Sequence, residues 1–333
     1  MSRSRLVFVG VLLAVAVAAG MIAVPAPAPA AEFVIKLGHV LPTNEPIHQA
    51  NERMAQRVKE KTKGRVEIQV FPASQIGSNR DTYEQARMGA PVICHIDPGY
   101  AAELGDLDIA IMNGPFLFES WDQAKKVLSS PLVGAMNQNL LKNGKIRVLS
   151  WGYYFGQRHI ISDKGYPTPA DIKGKKVRVP PNVMWVETFK AMGAVPTPLQ
   201  WAEVYQGLGQ GVVDAAEAPL STLLGSKLYE VKKVITLTGH FKAVVGLAIG
   251  EQYFQSLPKD IQQLLIEEAE ENGRWVSPIT IQKEDEFKQA LAKGGVTFVQ
   301  ADTEAYRKAT LATYQAFPKW TPGLYEKVQA AMK

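Results

Sequence analysis

Residues Lys173–Tyr229 read KGKKVRVPPNVMWVETFKAMGAVPTPLQWAEVYQGLGQGVVDAAEAPLSTLLGSKLY, and the order of elements inside them decides the fold class. In Lys176-Val177-Arg178-Val179-Pro180 a period of two puts Val177 and Val179 on one face of a strand and Arg178 on the other. Pro180 ends that strand. Val183, Val186, Phe189 and Lys190 then recur at helical spacing, Gly193 stops the helix, and Ala194 to Leu199 reads as the next strand. A strand, helix, strand unit of this size implies a parallel crossover and an α/β fold. Ligands of open α/β sheets sit outside the carboxyl ends of the strands, where Arg178 falls, so a guanidinium suited to carboxylates faces a crevice.

The rest of the chain continues that alternation. Strands are expected at Phe33 to His39, Arg65 to Phe71, Val92 to Ile96, Ile146 to Trp151, Lys232 to Thr238, Lys242 to Ile249 and Val296 to Val299. Helices are expected from Pro46 to about Lys63 and from about Asp81 to Met88, which together argue for a mainly parallel sheet. Pro258 opens a long helix, roughly Lys259 to Lys293, that reads either as a brace across two lobes or as a surface helix interrupted at Pro278. Tyr306, Tyr314, Phe317 and Trp320 near the end read as core. So do Pro115-Phe116-Leu117-Phe118.

At 333 residues the chain exceeds what one hydrophobic core usually fills, so two domains are expected. Arg3 and Arg5 precede an apolar run from Leu6 to Val24 and an Ala28-x-Ala30 site, the pattern of a cleaved secretory signal over residues 1–30. An uncleaved membrane anchor is the competing reading. Cys94 is the only cysteine, which excludes an intramolecular disulfide, and its apolar surroundings read as a buried thiol. Without Arg3 and Arg5 the formal charge falls from +5 to +3, that is 35 basic against 32 acidic residues, too mild a balance to argue for nucleic acid.

Catalytic groups do not assemble. The five histidines show no metal-binding spacing, G-x-S-x-G is absent, and no metal or cofactor is called for. Gly207-Leu208-Gly209-Gln210-Gly211 follows a helical segment instead of a strand and reads as a helix stop. Glu203, Asp214 and Glu217 read as partners of arginines or backbone amides. Asp97, before Pro98-Gly99 at a strand's carboxyl end, is either a pocket residue or an ordinary turn signal. The cluster Trp151-Gly152-Tyr153-Tyr154-Phe155-Gly156-Gln157-Arg158 supplies a second arginine and fits recognition of a small organic anion.

Across nearly the whole mature chain the succession resembles the solute-binding proteins of tripartite ATP-independent periplasmic (TRAP) transporters, of the dicarboxylate-binding type. The segments that carry the resemblance include Ile35-Lys36-Leu37-Gly38-His39-Val40, Phe71-Pro72-Ala73-Ser74-Gln75-Ile76-Gly77, Gly174 to Pro180, Glu203-Val204-Tyr205 and Gly211-Val212-Val213-Asp214. The resemblance implies a two-lobed periplasmic α/β binding protein of type II-like topology, with a ligand cleft between lobes and a long bridging helix. Lobe I would comprise 31–155 plus about 244–283, and lobe II 156–243 plus about 284–333. Such a protein captures an organic acid and delivers it to a membrane permease driven by an ion gradient. The hallmark carboxylate-pairing arginine maps onto Arg178 and a second one onto Arg158. Trp201 matches an aromatic before Glu-Val-Tyr, and Asp97 a pocket-facing position. Where the family commonly reads Gln-Glu-Asn-Pro, this chain has Ala216-Glu217-Ala218-Pro219, so an amide is missing at Ala218. With Trp185, Trp201, Tyr153 and Phe155 near, the expected solute is a monocarboxylate with an apolar or aromatic body, ahead of sialic acid or a small dicarboxylate. The alternatives are an exported enzyme acting on an anion, and a binding protein for an ATP-driven importer or sensor.

Overall fold

The computed structural model describes residues 30–317 and 319–333; the signal-peptide reading therefore falls, but for Ala30, outside the described residues. Among the described residues ten strands run in chain order: β1 (Phe33–Gly38), β2 (Val66–Phe71), β3 (Val92–Ile96), β4 (Ile146–Ser162), β5 (Lys176–Val179), β6 (Val195–Pro198), β7 (Ala215–Pro219), β8 (Val234–Leu237), β9 (Lys242–Gly250) and β10 (Thr297–Gln300). The expected α/β class is found. Where a mainly parallel sheet is expected the sheet is mixed: β1 pairs in parallel with β2 and β3, β5 with β6 and β7, and β8 with β10, while β4 and β9 run antiparallel to their neighbours and to each other.

The strand expected at 146–151 runs on to Ser162, which absorbs the aromatic cluster. It was hidden because β4 is buried on both faces and shifts register against β9 three times, after Val148, Ser150 and Tyr154, so its alternation breaks. Up to Gln157 this strand pairs with β9; from Arg158 it pairs with β7, and from Ile160 also with β8. Arg158 thus stands where the strand changes partners. β7 gave no sequence signal, since Ala-Ala-Glu-Ala-Pro has no β-branched or aromatic residue.

The long helix spans Lys259–Gln282, continues through Pro278 and breaks at Lys283 before a second helix, Glu284–Lys293. Its backbone comes against β4 at Gly273, where a Cβ would stand 2.8 Å from the Gly152 carbonyl carbon, so Gly273 tolerates no side chain. The Tyr153 hydroxyl donates to the Ala269 carbonyl at 3.0 Å and the Ser277 hydroxyl donates to the Gly152 carbonyl at 2.8 Å. Tyr306, Phe317, Trp320 and Phe116 to Phe118 are core, as expected. Cys94 is buried, and burial pushes its thiol up to about 12, an inert state.

Candidate functional site

The period of two in β5 places Val177 and Val179 in the core and turns Arg178 the other way, yet Arg178 is only 3% exposed. Its Nε and Nη2 donate to the Leu199 carbonyl at 2.9 and 2.7 Å, and the guanidinium lies 5.1 Å from the Trp201 ring centre. No carboxylate among the described residues forms an ion pair with it. Burial lowers its ordinarily very high pKa to about 10, the Glu217 and Tyr100 fields opposing that drop. A buried cation satisfied by one neutral carbonyl has its charge uncompensated by an ion pair, and burying a charge is costly until it is paired.

Arg158 is already paired. Its Nε donates to Glu217 Oε2 at 2.5 Å and its Nη2 to Oε1 at 2.7 Å, a bidentate contact between two buried side chains. Trp185 Nε1 donates to Glu217 Oε1 at 3.0 Å, and His240 Nε2 meets Oε2 at 3.3 Å. Burial alone would raise the Glu217 carboxyl, but the Arg158 charge and these hydrogen bonds outweigh it and hold it at about 2. Glu217 is the arginine partner that the sequence allowed it to be. Asp214 accepts from the Lys176 amide and Glu203 from the Gln200 amide.

Asp97 caps the helix Pro98–Leu104, with Oδ1 accepting from the Gly99 and Tyr100 amides. The same oxygen accepts from Asn182 Nδ2 at 3.0 Å and Oδ2 from Asn113 Nδ2 at 2.8 Å. Both readings of Asp97 therefore hold: it lines the cavity, and its carboxylate is committed to fixing the wall. Burial pushes it up to about 6, these donors offsetting part of the rise. Gly99 is required here, since a Cβ would fall 2.0 Å from Asn182 Nδ2.

Arg158, Arg178, Asp97, Trp185 and Trp201 line one cavity of about 90 Å³, together with Asn79, Tyr83, His95, Tyr100, Phe155 and Gln200. Two expected residues lie elsewhere. Tyr153 is buried in the core beneath the long helix, and Ala218 faces a second core with Ala216, because the alternation of β7 sends Glu217 to the arginine and Ala218 to the opposite face. The missing amide at Ala218 thus leaves no gap in this cavity. Asn79 and Tyr83 share the helix Asn79–Arg87, but His95, Tyr100 and Gln200 come from other segments, and no sequence spacing links the five.

Glu45 sits buried at the start of the helix Pro46–Lys61, facing Ser221 and Thr222 of the helix Leu220–Gly225. Burial pushes its carboxyl up to about 7, the two hydroxyls and the Arg158 charge offsetting part of the shift. An acid raised in the folded state lends its stability in full below its ordinary value near 4.5 and loses it as pH climbs through 7. Glu45→Gln should therefore melt above the wild type at pH 8, by on the order of 3 kcal/mol, and level with it at pH 4. Melting curves at the two pH values check this.

Residues 37–319 match the profile described as bacterial extracellular solute-binding protein, family 7. A TRAP periplasmic solute-binding protein from Ochrobacterium anthropi, solved with bound L-fuconate, is 35% identical, with a TM-score of 0.88 over 90% of this chain and 99% of that one. One from Fusobacterium nucleatum, with bound sn-glycerol 3-phosphate, is 31% identical, with a TM-score of 0.86 over 90% and 96%. The 2,3-diketo-L-gulonate-binding periplasmic protein YiaO of Escherichia coli is 27% identical over 83% of this chain and 82% of its own length. The two-lobed architecture expected from the sequence is the one these neighbours have.

Proposed function

Since this chain belongs to bacterial extracellular solute-binding protein family 7, the periplasmic solute-binding proteins of TRAP transporters, we propose that it captures a small organic acid by its carboxylate between Arg178 and Arg158 and delivers it to a membrane permease. It is a binding protein and not an enzyme, as its family and structural neighbours are. The observation that carries the carboxylate reading is Arg178, a buried guanidinium hydrogen-bonded only to the Leu199 carbonyl among the described residues. Its charge is the largest unbalanced feature of the cavity, and a carboxylate offers the planar geometry that a guanidinium fork matches. Export through a cleaved signal over residues 1–30 belongs to the same reading. No helix among the described residues is long and apolar enough to cross a membrane.

Lobe I is assigned 31–155 plus about 244–283 and lobe II 156–243 plus about 284–333. The change of partners along β4 between Gln157 and Arg158 supports that division. Closure of the lobes buries the solute, which one arginine cannot hold alone: charged hydrogen bonds contribute about 1.5–3 kcal/mol each, against the roughly 8 kcal/mol of a micromolar affinity.

The preference for an apolar or aromatic body loses Ala218 and Tyr153, which lie outside the cavity, and keeps Trp185, Trp201 and Phe155 in its lining. Among the lining residues, Asn79, His95 and Gln200 favour a solute with a polar body, in keeping with the L-fuconate of one neighbour. Calorimetry with L-fuconate and with its neutral amide tests the reading. Binding of the acid and none of the amide is expected. Equal affinity for both would remove the carboxylate from the recognised group, and sn-glycerol 3-phosphate outcompeting L-fuconate would replace it with a phosphate.

A further inference from the structure

The two cationic residues of the cavity both belong to the second set of strands, Arg178 to β5 and Arg158 to the far half of β4. The wall contributed by β3 is built differently. His95 lies on β3, lines the cavity and is 7% exposed. Its Nε2 meets Asn51 Nδ2 at 2.8 Å, and its ring stacks on His39 with centres 4.9 Å apart and planes at 15°. His39 is held in turn by His48 Nδ1 at 3.1 Å and by the Leu41 amide at 3.2 Å. This chain of contacts fixes the ring and occupies one nitrogen. Nδ1 has no hydrogen-bond partner among the described residues. We propose that His95 reads a hydroxyl group on the body of the solute through Nδ1, so that the cleft selects a hydroxylated monocarboxylate over an acid with a second carboxylate or a bare alkyl chain.

This assignment rests on the carboxylate anchor proposed above and adds to it what lies beyond the carboxylate. A hydroxyl both donates and accepts, so it satisfies Nδ1 whichever ring nitrogen carries the proton. Burial and the neighbouring His48 push His95 down to about 3, so the ring stays neutral at physiological pH and offers a hydrogen bond without a charge. A second carboxylate at this wall would meet no cation there and would approach Asp97, which lines the same cavity. An alkyl chain would leave Nδ1 desolvated and unpaired, a loss of about tenfold or more in affinity.

Calorimetry on the full mature chain with L-fuconate, hexanoate and adipate tests the assignment in the wild type, His95→Phe and His95→Gln. Phenylalanine keeps the ring that stacks on His39 and removes the nitrogen; glutamine restores a polar group, and melting curves of both variants report their folding. Wild type is expected to bind L-fuconate at least tenfold more tightly than hexanoate or adipate. His95→Phe should close that gap, and His95→Gln should keep part of it. A gap that persists in His95→Phe, or a wild type that binds adipate or hexanoate as well as L-fuconate, overturns the proposal. If the gap persists while Arg178→Ala loses all three acids, only the reading of His95 fails and the anchor stands. If Arg178→Ala binds all three as the wild type does, the anchor itself is wrong and the inference falls with it.

Discussion

Arg178→Ala is expected to lose at least a hundredfold in solute affinity while the protein stays folded. Two charged hydrogen bonds to a carboxylate at about 1.5–3 kcal/mol each correspond to roughly 10² to 10⁴ in affinity. The fold loses little by comparison: only the two contacts to the Leu199 carbonyl and the stack on Trp201 disappear, and a buried, unpaired charge goes with them. Arg178→Lys tests the fork itself. An ammonium keeps the charge but cannot hold the Leu199 carbonyl and a carboxylate with one rigid plane, so a loss of about tenfold or more is expected there too. Calorimetry with melting curves on the same samples separates binding from folding. Unchanged affinity in Arg178→Ala would end the anchor idea, and a collapse of the melting transition would make Arg178 a structural residue instead.

The second large effect falls on stability. Glu217→Gln should destabilise the protein by about 3–5 kcal/mol at pH 7, because it leaves Arg158 as a buried cation without its bidentate partner. The pH dependence has a definite sign. The Glu217 carboxyl is depressed to about 2 in the fold from an ordinary 4.5, so the stability it contributes is fully present above 4.5 and is lost as pH falls toward 2. Denaturation curves of wild type and variant should therefore lie far apart at pH 7 and converge below pH 4.5. A double replacement, Arg158→Met with Glu217→Leu, should recover much of the stability, since an apolar pair of similar volume replaces a buried ion pair at little or no cost. It should nonetheless bind the solute poorly, for want of the second guanidinium. Equal stability of Glu217→Gln and wild type at pH 7 would show that the ion pair is solvated in solution.

Arg158 and Arg178 hold different positions in this scheme. Arg158 is neutralised by Glu217 and fixed by it, with Trp185 and His240 holding the carboxylate from the other side. Arg178 is fixed by a backbone carbonyl and forms no ion pair among the described residues. A cation fixed in this way spends little on reorganisation when an anion pairs with it.

Much of this was legible in the residues. Val177-Arg178-Val179 gives the direction of the Arg178 side chain because alternation along a strand is a local property of the backbone. The crossover from β5 to β6 implies the α/β class for the same reason, and the family resemblance points to Arg158 and Trp201, both of which line the cavity. The errors share one cause. β7 carries no strand-forming residues, so its alternation is not legible in the sequence, and Ala218, expected in the site, faces a core while its neighbour Glu217 meets Arg158. β4 was cut short because its register shifts and two-sided burial erase the alternation.

The sequence by itself determined the α/β class, the export signal as an expectation, the lack of any catalytic constellation and the outward turn of Arg178, all of which rest on composition or on neighbours a few residues apart. Only the tertiary structure decided the contents of the site. Glu217 reaches Arg158 across 59 residues of sequence because β7 is inserted between β4 and β5. His95 comes to the same cavity from β3 through the antiparallel return of β9 between the two strand sets. Periodicity reports which way a side chain points; which side chains point at one another depends on strand order, and strand order is set by long-range packing.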